Sequence, residues 1–119
     1  MKRVILLAVV AGLNSAVLHA GPPTAPPGFA RCQACHATVV GAPARAGPIL
    51  WGVVDARAGS RAAYAYSSAL RGSRIVWTRA ALRRYLADPA ATVPGTRMPK
   101  VAMTPAERDA LVTYLAALK

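Results

Sequence analysis

The residues with the clearest capacity for chemistry are two cysteines and a histidine in the run Cys32-Gln33-Ala34-Cys35-His36. On one helical turn the two thiols face the same side, where they could add to the two vinyl groups of one porphyrin. The imidazole of His36 would then lie under the ring, in position to ligate iron. In an exported chain, this C-x-x-C-H pattern predicts covalent attachment of a c-type haem.

Three other interpretations use the same side chains. Cys32 and Cys35 could form a plain disulfide, or a thioredoxin-like redox pair, although no alternation of strands and helices surrounds them. They could also bind zinc, but a structural zinc site needs four ligands. The two cysteines and His36 supply only three, and the sequence has no second cluster of cysteine or histidine.

Export is indicated by the first 20 residues, in which Lys2 and Arg3 precede an apolar stretch over 4–18 that ends at Ala20. This pattern predicts a signal peptide over 1–20 and delivery to the bacterial periplasm. An uncleaved membrane anchor is the alternative. A bilayer-spanning helix needs about 20 mostly apolar residues, and this stretch is shorter, so we favour cleavage.

The second axial ligand of a haem iron would have to be a methionine. The only other histidine, His19, belongs to the predicted signal peptide, which leaves Met98 and Met103 as candidates. Met98 lies in a loop rich in proline and glycine, away from any apolar stripe, whereas Met103 directly precedes a helix cap. We therefore expect Met98 to be the ligand and Met103 to pack at the helix end, although Met98 could also be an ordinary core residue. Methionine ligation raises the reduction potential, which suits an electron carrier.

Size and charge narrow the class of protein. The chain has 119 residues with 15 Lys and Arg against 4 Asp and Glu, and two cysteines. That length predicts one small domain and argues against a large enzyme, a multi-span membrane protein and a disulfide-dense scaffold. Export and the lack of a base-stacking or groove-reading motif argue against nucleic-acid binding. A core this small is marginal, so a bound cofactor would complete it.

The remaining sequence predicts helices separated by long loops. Residues 21–28 form a Pro-rich, extended lead-in, because proline fixes φ and lacks an amide donor. A helix carrying the cysteines is expected over 29–37 and a short helix over 67–71. Loops are expected over 41–59 and 88–103. Loops this long in a small domain suggest that they wrap around something.

Two longer helices have clear start signals. Thr78 caps a helix that runs to Ala87. The final helix begins with a cap at Thr104, a proline at Pro105 and a capping box completed by Glu107. The expected inner face of the first helix is Ala81, Leu82, Tyr85 and Leu86, and that of the second is Ala110, Leu111, Tyr114, Leu115 and Leu118.

Taken together, these motifs resemble class I c-type cytochromes, specifically the group of mitochondrial cytochrome c and bacterial cytochrome c2. The resemblance extends over 29–119 and implies a small all-α cytochrome c fold, with three to four helices and long loops wrapped around one covalent haem c. Besides the C-x-x-C-H run, it is carried by Gly47-Pro48-Ile49-Leu50-x-Gly52, Tyr66-Ser67-Ser68-Ala69, Trp77-Thr78, Leu82-x-x-Tyr85-Leu86-x-x-Pro89 and Val93-Pro94-Gly95-Thr96-x-Met98.

The resemblance also implies the role of each residue in the coordination of iron. Cys32 and Cys35 would form the two thioethers, and His36 and Met98 would be the axial ligands. The carbonyl of Pro48 would accept the proximal imidazole N–H and thereby fix the ring.

Four further residues match positions around the haem carboxylates. Tyr66 and Trp77 would donate to a buried propionate, while Tyr85 and Thr96 would lie near the methionine sulfur and the inner propionate. Trp77 and Tyr85 would also suit a core with no further role.

The sequence departs from the family pattern in several places. The N-terminal helix is cut short by prolines, so only Phe29 remains to meet Tyr114 or Leu115. Arg57 lies one position later than the family's arginine, so a propionate contact from it is doubtful, and Lys100 replaces an aromatic residue near the haem edge.

The predicted function is that of a soluble periplasmic, monomeric electron carrier, not an enzyme. Arg97 and Lys100, with Arg31 and Arg45 as possible neighbours, would ring the haem edge. They would steer it to acidic surfaces of membrane oxidoreductases, such as a cytochrome bc1 complex or terminal oxidase, or of a periplasmic dehydrogenase. Two alternatives remain: a haem sensor or weak peroxidase with a labile Met98 bond, and a dedicated subunit of one dehydrogenase.

Overall fold

The computed structural model describes residues 21–119, so the predicted signal peptide over 1–20 lies outside the described residues. The described part contains a 3₁₀ turn and five α-helices, with one isolated antiparallel bridge between Arg57 and Val76 as its strand-like pairing. The predicted all-α class is confirmed. No helix within 21–119 has the length and apolar character needed to cross a bilayer. The elements are the turn Pro27–Phe29, α1 (Ala30–Gln33), α2 (Ser68–Gly72), α3 (Arg79–Ala87), α4 (Pro89–Thr92) and α5 (Pro105–Ala117).

The helix that carries the cysteines is shorter than the expected span of 29–37. Its backbone leaves the helical path after the cysteine turn, where the amides of Cys35 and His36 both donate to the carbonyl of Cys32. The carbonyl of Cys35 accepts a hydrogen bond of 2.8 Å from the amide of Gly47, which lies in a loop further along the chain. The cysteine segment is therefore anchored to that loop instead of continuing as a helix.

Helices α3 and α5 pack together and form the centre of the core. Thr78 caps α3 by accepting from the amide of Ala81, and the expected inner face of α3 is buried. The capping box of α5 is present, because Thr104 Oγ1 accepts from the Glu107 amide and Glu107 Oε2 accepts from the Thr104 amide. Both predicted helix starts are confirmed.

The buried face of α5 differs from the predicted stripe. Val112 is completely buried, and Ala116 is also buried, although neither was expected to face inward. Ala110, which was expected to face inward, is exposed. The burial pattern is therefore set by α3 on one side of α5 and by the truncated N-terminal segment on the other.

Helix α4 occupies part of the region expected to be a loop, 88–103, so that expectation was wrong for this turn. Asp88 accepts from the amide of Ala91 as an N-cap, and Pro89 stands at the first helical position and is fully buried. This combination of cap and proline is a helix start signal. The four-residue α1 and α4 raise the helix count above the three to four predicted.

The N-terminal segment reaches the C-terminal helix through one aromatic side chain. Phe29 is 1% exposed, and its ring meets that of Tyr114 edge to face, with 4.7 Å between centroids. The expected contact is confirmed. The carbonyl of Leu118 accepts from the amide of Gly52 at 2.7 Å, which ties the end of the chain to the loop after the cysteines.

Candidate functional site

A mostly apolar cavity of about 330 Å³ lies between the cysteine segment, α3, α5 and the loop after α4. Its wall brings Cys32, Cys35 and His36 together with Met98, although these residues are far apart in the sequence. The long loops therefore do enclose a space, as their length suggested. Pro48, Tyr66, Trp77 and Tyr85 also line it, together with aliphatic side chains such as Leu50, Val53, Leu82 and Leu115.

The imidazole of His36 is fixed by two backbone features. Its Nδ1 lies 2.7 Å from the carbonyl oxygen of Pro48. Because a carbonyl only accepts, Nδ1 carries the proton and Nε2 keeps its lone pair for a metal. The ring packs directly on Gly47, where an added Cβ would lie 2.4 Å from Cε1 of His36. The missing side chain of Gly47 and the carbonyl of Pro48 thus position the imidazole.

The two cysteines are free thiols in the structure, with Cys32 half-buried and Cys35 exposed. Burial raises the pKa of the Cys32 thiol, and the nearby charge of Arg31 partly opposes that shift. In the described part of the chain, no cluster of three or more His, Cys, Asp or Glu is arranged to hold a metal. The disulfide and zinc interpretations therefore receive no support from this geometry.

Met98 is held in its loop by a short chain of hydrogen bonds. Its amide donates to Thr96 Oγ1 at 3.3 Å, and the same hydroxyl lies 2.6 Å from the hydroxyl of Tyr85. Burial raises the pKa of Tyr85, against the bond to Thr96, so this hydroxyl stays protonated over the neutral range. Met103 lines the cavity as well, which places both candidate methionines at its wall.

The aromatic residues form two pairs in the cavity wall. Tyr66 meets Tyr64 edge to face at 4.8 Å, and Trp77 meets Tyr85 at the same distance with tilted rings. Tyr66, Trp77 and Tyr85 are all buried. Thr96 is the one residue of the predicted set that is not part of the wall, and it reaches the cavity only through Tyr85.

Sequence reasoning missed two residues of this site. Arg61 lines the cavity and donates to the carbonyl of Trp51 at 2.6 Å, and Tyr64 donates to the carbonyl of Ala46 at 2.7 Å. Neither belongs to a motif, so only the path of the loop places them. Arg57 reaches the wall with an exposed side chain.

These residues fit a covalent haem. Two thiols, an imidazole with a free Nε2 and a thioether surround one apolar space, and glycine at position 47 gives the ring of His36 the room it needs. Soft sulfur and imidazole nitrogen are the donors that haem iron takes in electron carriers.

The comparisons with known proteins agree with this chemistry. The Cytochrome c family model matches residues 28–119. Cytochrome c2 of Rhodomicrobium vannielii is 38% identical over 89 residues, covering 74% of this chain and 71% of that protein. Cytochrome c2 of Agrobacterium tumefaciens is 40% identical over 91 residues, covering 73% and 82%.

Two solved structures are similar over most of the described part. Cytochrome cH from Methylobacterium extorquens has a TM-score of 0.68 and 41% identity, covering 74% of this chain and 89% of that one. Cytochrome c2 from Rhodospirillum centenum has a TM-score of 0.71 and 28% identity, covering 76% and 91%. The chain therefore belongs to the cytochrome c family, as a monohaem electron carrier with one covalent haem c and not as an enzyme.

Proposed function

We propose that this chain is a periplasmic carrier that moves single electrons between respiratory or dehydrogenase partners, with His36 and Met98 as the axial ligands of its haem. The bound haem supplies a one-electron iron couple. The observation that carries the assignment of His36 is the 2.7 Å contact between its Nδ1 and the carbonyl of Pro48, which leaves Nε2 as the ligand atom. Met98 is assigned because it lies in the wall of the same cavity and in the motif that resembles the family.

The surrounding residues support electron transfer because they hold the two proposed ligands in fixed positions. His36 is fixed by Gly47 and Pro48, and the loop of Met98 is fixed through Thr96 and Tyr85. A site whose ligands hold the same positions in both oxidation states reorganises little during transfer. The apolar wall also keeps water from the iron, which favours a methionine ligand and a raised potential.

The ligand assignment is tested by the absorption spectrum of the protein matured with a haem-attachment system. Ferric protein with a methionine sulfur ligand shows a weak far-red band, which we expect here. Met98→Ala should abolish the band, and Met103→Ala should retain it although Met103 also lines the cavity. The reverse result would refute the assignment to Met98. Tight binding of carbon monoxide to the native ferrous protein would instead favour the sensor or peroxidase interpretation.

We further propose that basic residues near the cavity mouth guide the carrier to acidic patches on its partners, such as a cytochrome bc1 complex, a terminal oxidase or a periplasmic dehydrogenase. Lys100 is 64% exposed beside Met98, and its contact with Asp88 is a loose 3.9 Å. Arg31 and Arg97 line the cavity and remain exposed. An excess of positive charge on this side would accelerate encounter in a salt-dependent manner.

This docking proposal predicts that electron transfer to an acidic partner slows as salt rises. Arg97→Gln, which removes an exposed charge of the cavity wall, should reduce that rate and its salt dependence, whereas Arg74→Gln, which removes an exposed charge that does not line the cavity, should change them less. A rate insensitive to ionic strength would contradict the proposal. Co-purification with one larger protein would favour the dedicated-subunit alternative, and a monomer in solution would not.

Periplasmic location and cleavage after Ala20 rest on the sequence of the first 20 residues. N-terminal sequencing of the exported protein tests both. A mature protein that begins at Gly21 supports them, while an intact Met1 on membrane-bound protein would favour an anchor.

A further inference from the structure

Arg61 is a half-buried cation at the wall of the haem cavity, on the loop that precedes α2. Its Nη2 donates to the carbonyl of Trp51 at 2.6 Å. The same nitrogen packs close to Gly52, where an added Cβ would lie 3.3 Å away and where φ is +64°. These two contacts therefore hold the guanidinium of Arg61 in one position.

Nothing in the described chain neutralises this charge. The cavity wall contains four arginines and no aspartate or glutamate. The three ion pairs found among residues 21–119 join Arg31 to Glu107, Arg83 to Asp109 and Lys100 to Asp88. The remaining acidic side chain, Asp55, and the carboxylate of Lys119 at the chain end form no ion pair with Arg61 within 4.0 Å.

A partly desolvated cation without a counter-ion is unfavourable, and a guanidinium has five N–H donors to satisfy. Only one hydrogen bond from the Arg61 side chain is present in the structure. The donor geometry of guanidinium matches a carboxylate, which it can bind through two parallel hydrogen bonds. The cavity wall at Arg61 therefore carries a positive charge that a bound carboxylate would neutralise.

We propose that Arg61 is the charge partner of a haem propionate and that it raises the reduction potential of this chain. The inference rests on the proposed function, because it requires haem in this cavity. It assigns the cationic role to Arg61 and not to Arg57, which is exposed and lies where the family resemblance left a propionate contact in doubt.

The neighbours of Arg61 support this placement. Burial raises the pKa of Tyr66, and a backbone hydrogen bond from Arg61 and the positive charge of its side chain both oppose that shift, so the two residues are close. The other titratable side chains of the wall near this end are Arg57, Arg97, Tyr64 and Tyr85. Arg97 donates to the carbonyl of Ala65, beside Tyr66, from an exposed position. Arg61 is half-buried, whereas Arg57 and Arg97 are exposed.

A fixed positive charge here has two measurable effects. It stabilises the ionised propionate, which lowers the pKa of that carboxyl group. It also stabilises the reduced haem, which carries one electron more, over the oxidised haem. Loss of the charge should therefore lower the potential and move the titration of the carboxyl group toward neutral pH.

The test uses the haem-loaded full chain with Arg61→Gln, Arg61→Lys and the control Arg74→Gln, in which an exposed arginine outside the cavity wall loses its charge. Redox titrations from pH 5 to 9 give the potential, and NMR shifts of haem substituents give the propionate pKa. We expect Arg61→Gln to lower the equilibrium constant for one-electron reduction of the haem about tenfold, which corresponds to a reduction potential lower by about 60 mV. We expect its propionate pKa to rise by about one unit. Arg61→Lys should restore most of both.

The inference is overturned if Arg61→Gln matches Arg74→Gln, or if the potential shifts while the propionate pKa does not. Should Arg61→Gln fail to bind haem, the wild-type protein decides: a propionate that titrates above about pH 6 contradicts a charge partner at Arg61. Absence of covalent haem or of the far-red band in the wild type would instead refute the proposed function, so the two failures are distinguishable.

Discussion

The hydroxyl groups of Tyr85 and Thr96 lie 2.6 Å apart and join helix α3 to the loop that carries Met98. Thr96 Oγ1 also accepts from the amide of Met98, so one hydroxyl serves both partners. Position 96 is therefore the link between the core and the proposed distal ligand.

Thr96→Val should weaken the Met98 loop. The change removes the acceptor for the Met98 amide and leaves the Tyr85 hydroxyl buried without this partner, at a cost of about 1–3 kcal/mol. We expect the far-red band of the ferric protein to disappear at a lower denaturant concentration than in the wild type. Thr113→Val, on the exposed side of α5, is the matched control. Equal behaviour of the two variants would contradict the link.

Gly47→Ala should displace the proximal imidazole. The new Cβ would lie 2.4 Å from Cε1 of His36, which real contacts do not reach, so ring or backbone must move. We expect a loss of stability of the order of 3 kcal/mol and reduced haem attachment, measured by unfolding and by the haem-to-protein ratio. Gly72→Ala meets nothing within 4 Å and should be nearly neutral. A fully loaded, equally stable Gly47→Ala protein would refute this packing.

Phe29→Ala should destabilise the whole domain by about 3–5 kcal/mol, because its buried ring is the side chain that carries the N-terminal segment onto Tyr114. Guanidinium unfolding of the haem-loaded protein measures the change. Val40→Ala removes an exposed apolar side chain and should shift stability by less than about 0.5 kcal/mol. A loss below 1 kcal/mol for Phe29→Ala would mean that this contact is dispensable.

The capping box predicts a pH dependence at the acidic end. The hydrogen bond from the Thr104 amide, with help from Arg31, lowers the pKa of Glu107 below its usual value of 4.5. A lowered folded-state pKa contributes stability that is complete above the unfolded-state pKa and is lost as pH falls through the folded-state pKa. Glu107→Gln should therefore be less stable at pH 7 and should lose less stability between about pH 5 and 3.

Denaturation midpoints measured across this pH range provide the test. Asp109→Asn removes a carboxylate from the same helix that pairs with Arg83 but makes no capping bond. The Asp109→Asn protein should still lose the stability that Glu107 contributes as the pH falls. If the denaturation midpoint of Glu107→Gln changed with pH as it does in the wild type, protonation of Glu107 would not contribute to the loss of stability at acidic pH.

The parts of the fold with local signals were predictable. The predicted capping box at Thr104 and cap at Thr78 are confirmed, because each depends on residues within one turn. The start signal at Asp88 and Pro89 is equally local, and it begins α4 in a region predicted to be a loop. The buried face of α5 was not predictable in full, since the burial of Val112 and Ala116 depends on how α5 packs against distant elements such as α3.

The residues of the site show the same difference between local motifs and contacts that depend on distant parts of the chain. The proposed axial pair, His36 and Met98, and the residues around it belong to spaced motifs, so the sequence alone indicates them. Arg61 and Tyr64 have no such pattern, and they reach the cavity because their loop passes the carbonyls of Trp51 and Ala46. Local spacing cannot predict a contact that depends on the path of two loops.

The edge-to-face contact between Phe29 and Tyr114 has a consequence for the order of events in folding. Phe29 stands three positions before Cys32, and its partner lies in the last helix of the chain. Closing so long a loop is slow, and it requires nearly the entire polypeptide to be present. Until then the ring of Phe29 has no partner in α5, and the cysteine segment that follows it is not yet packed against the core. The contact therefore makes the position of Cys32 depend on residues at the far end of the chain, and it forms late in folding.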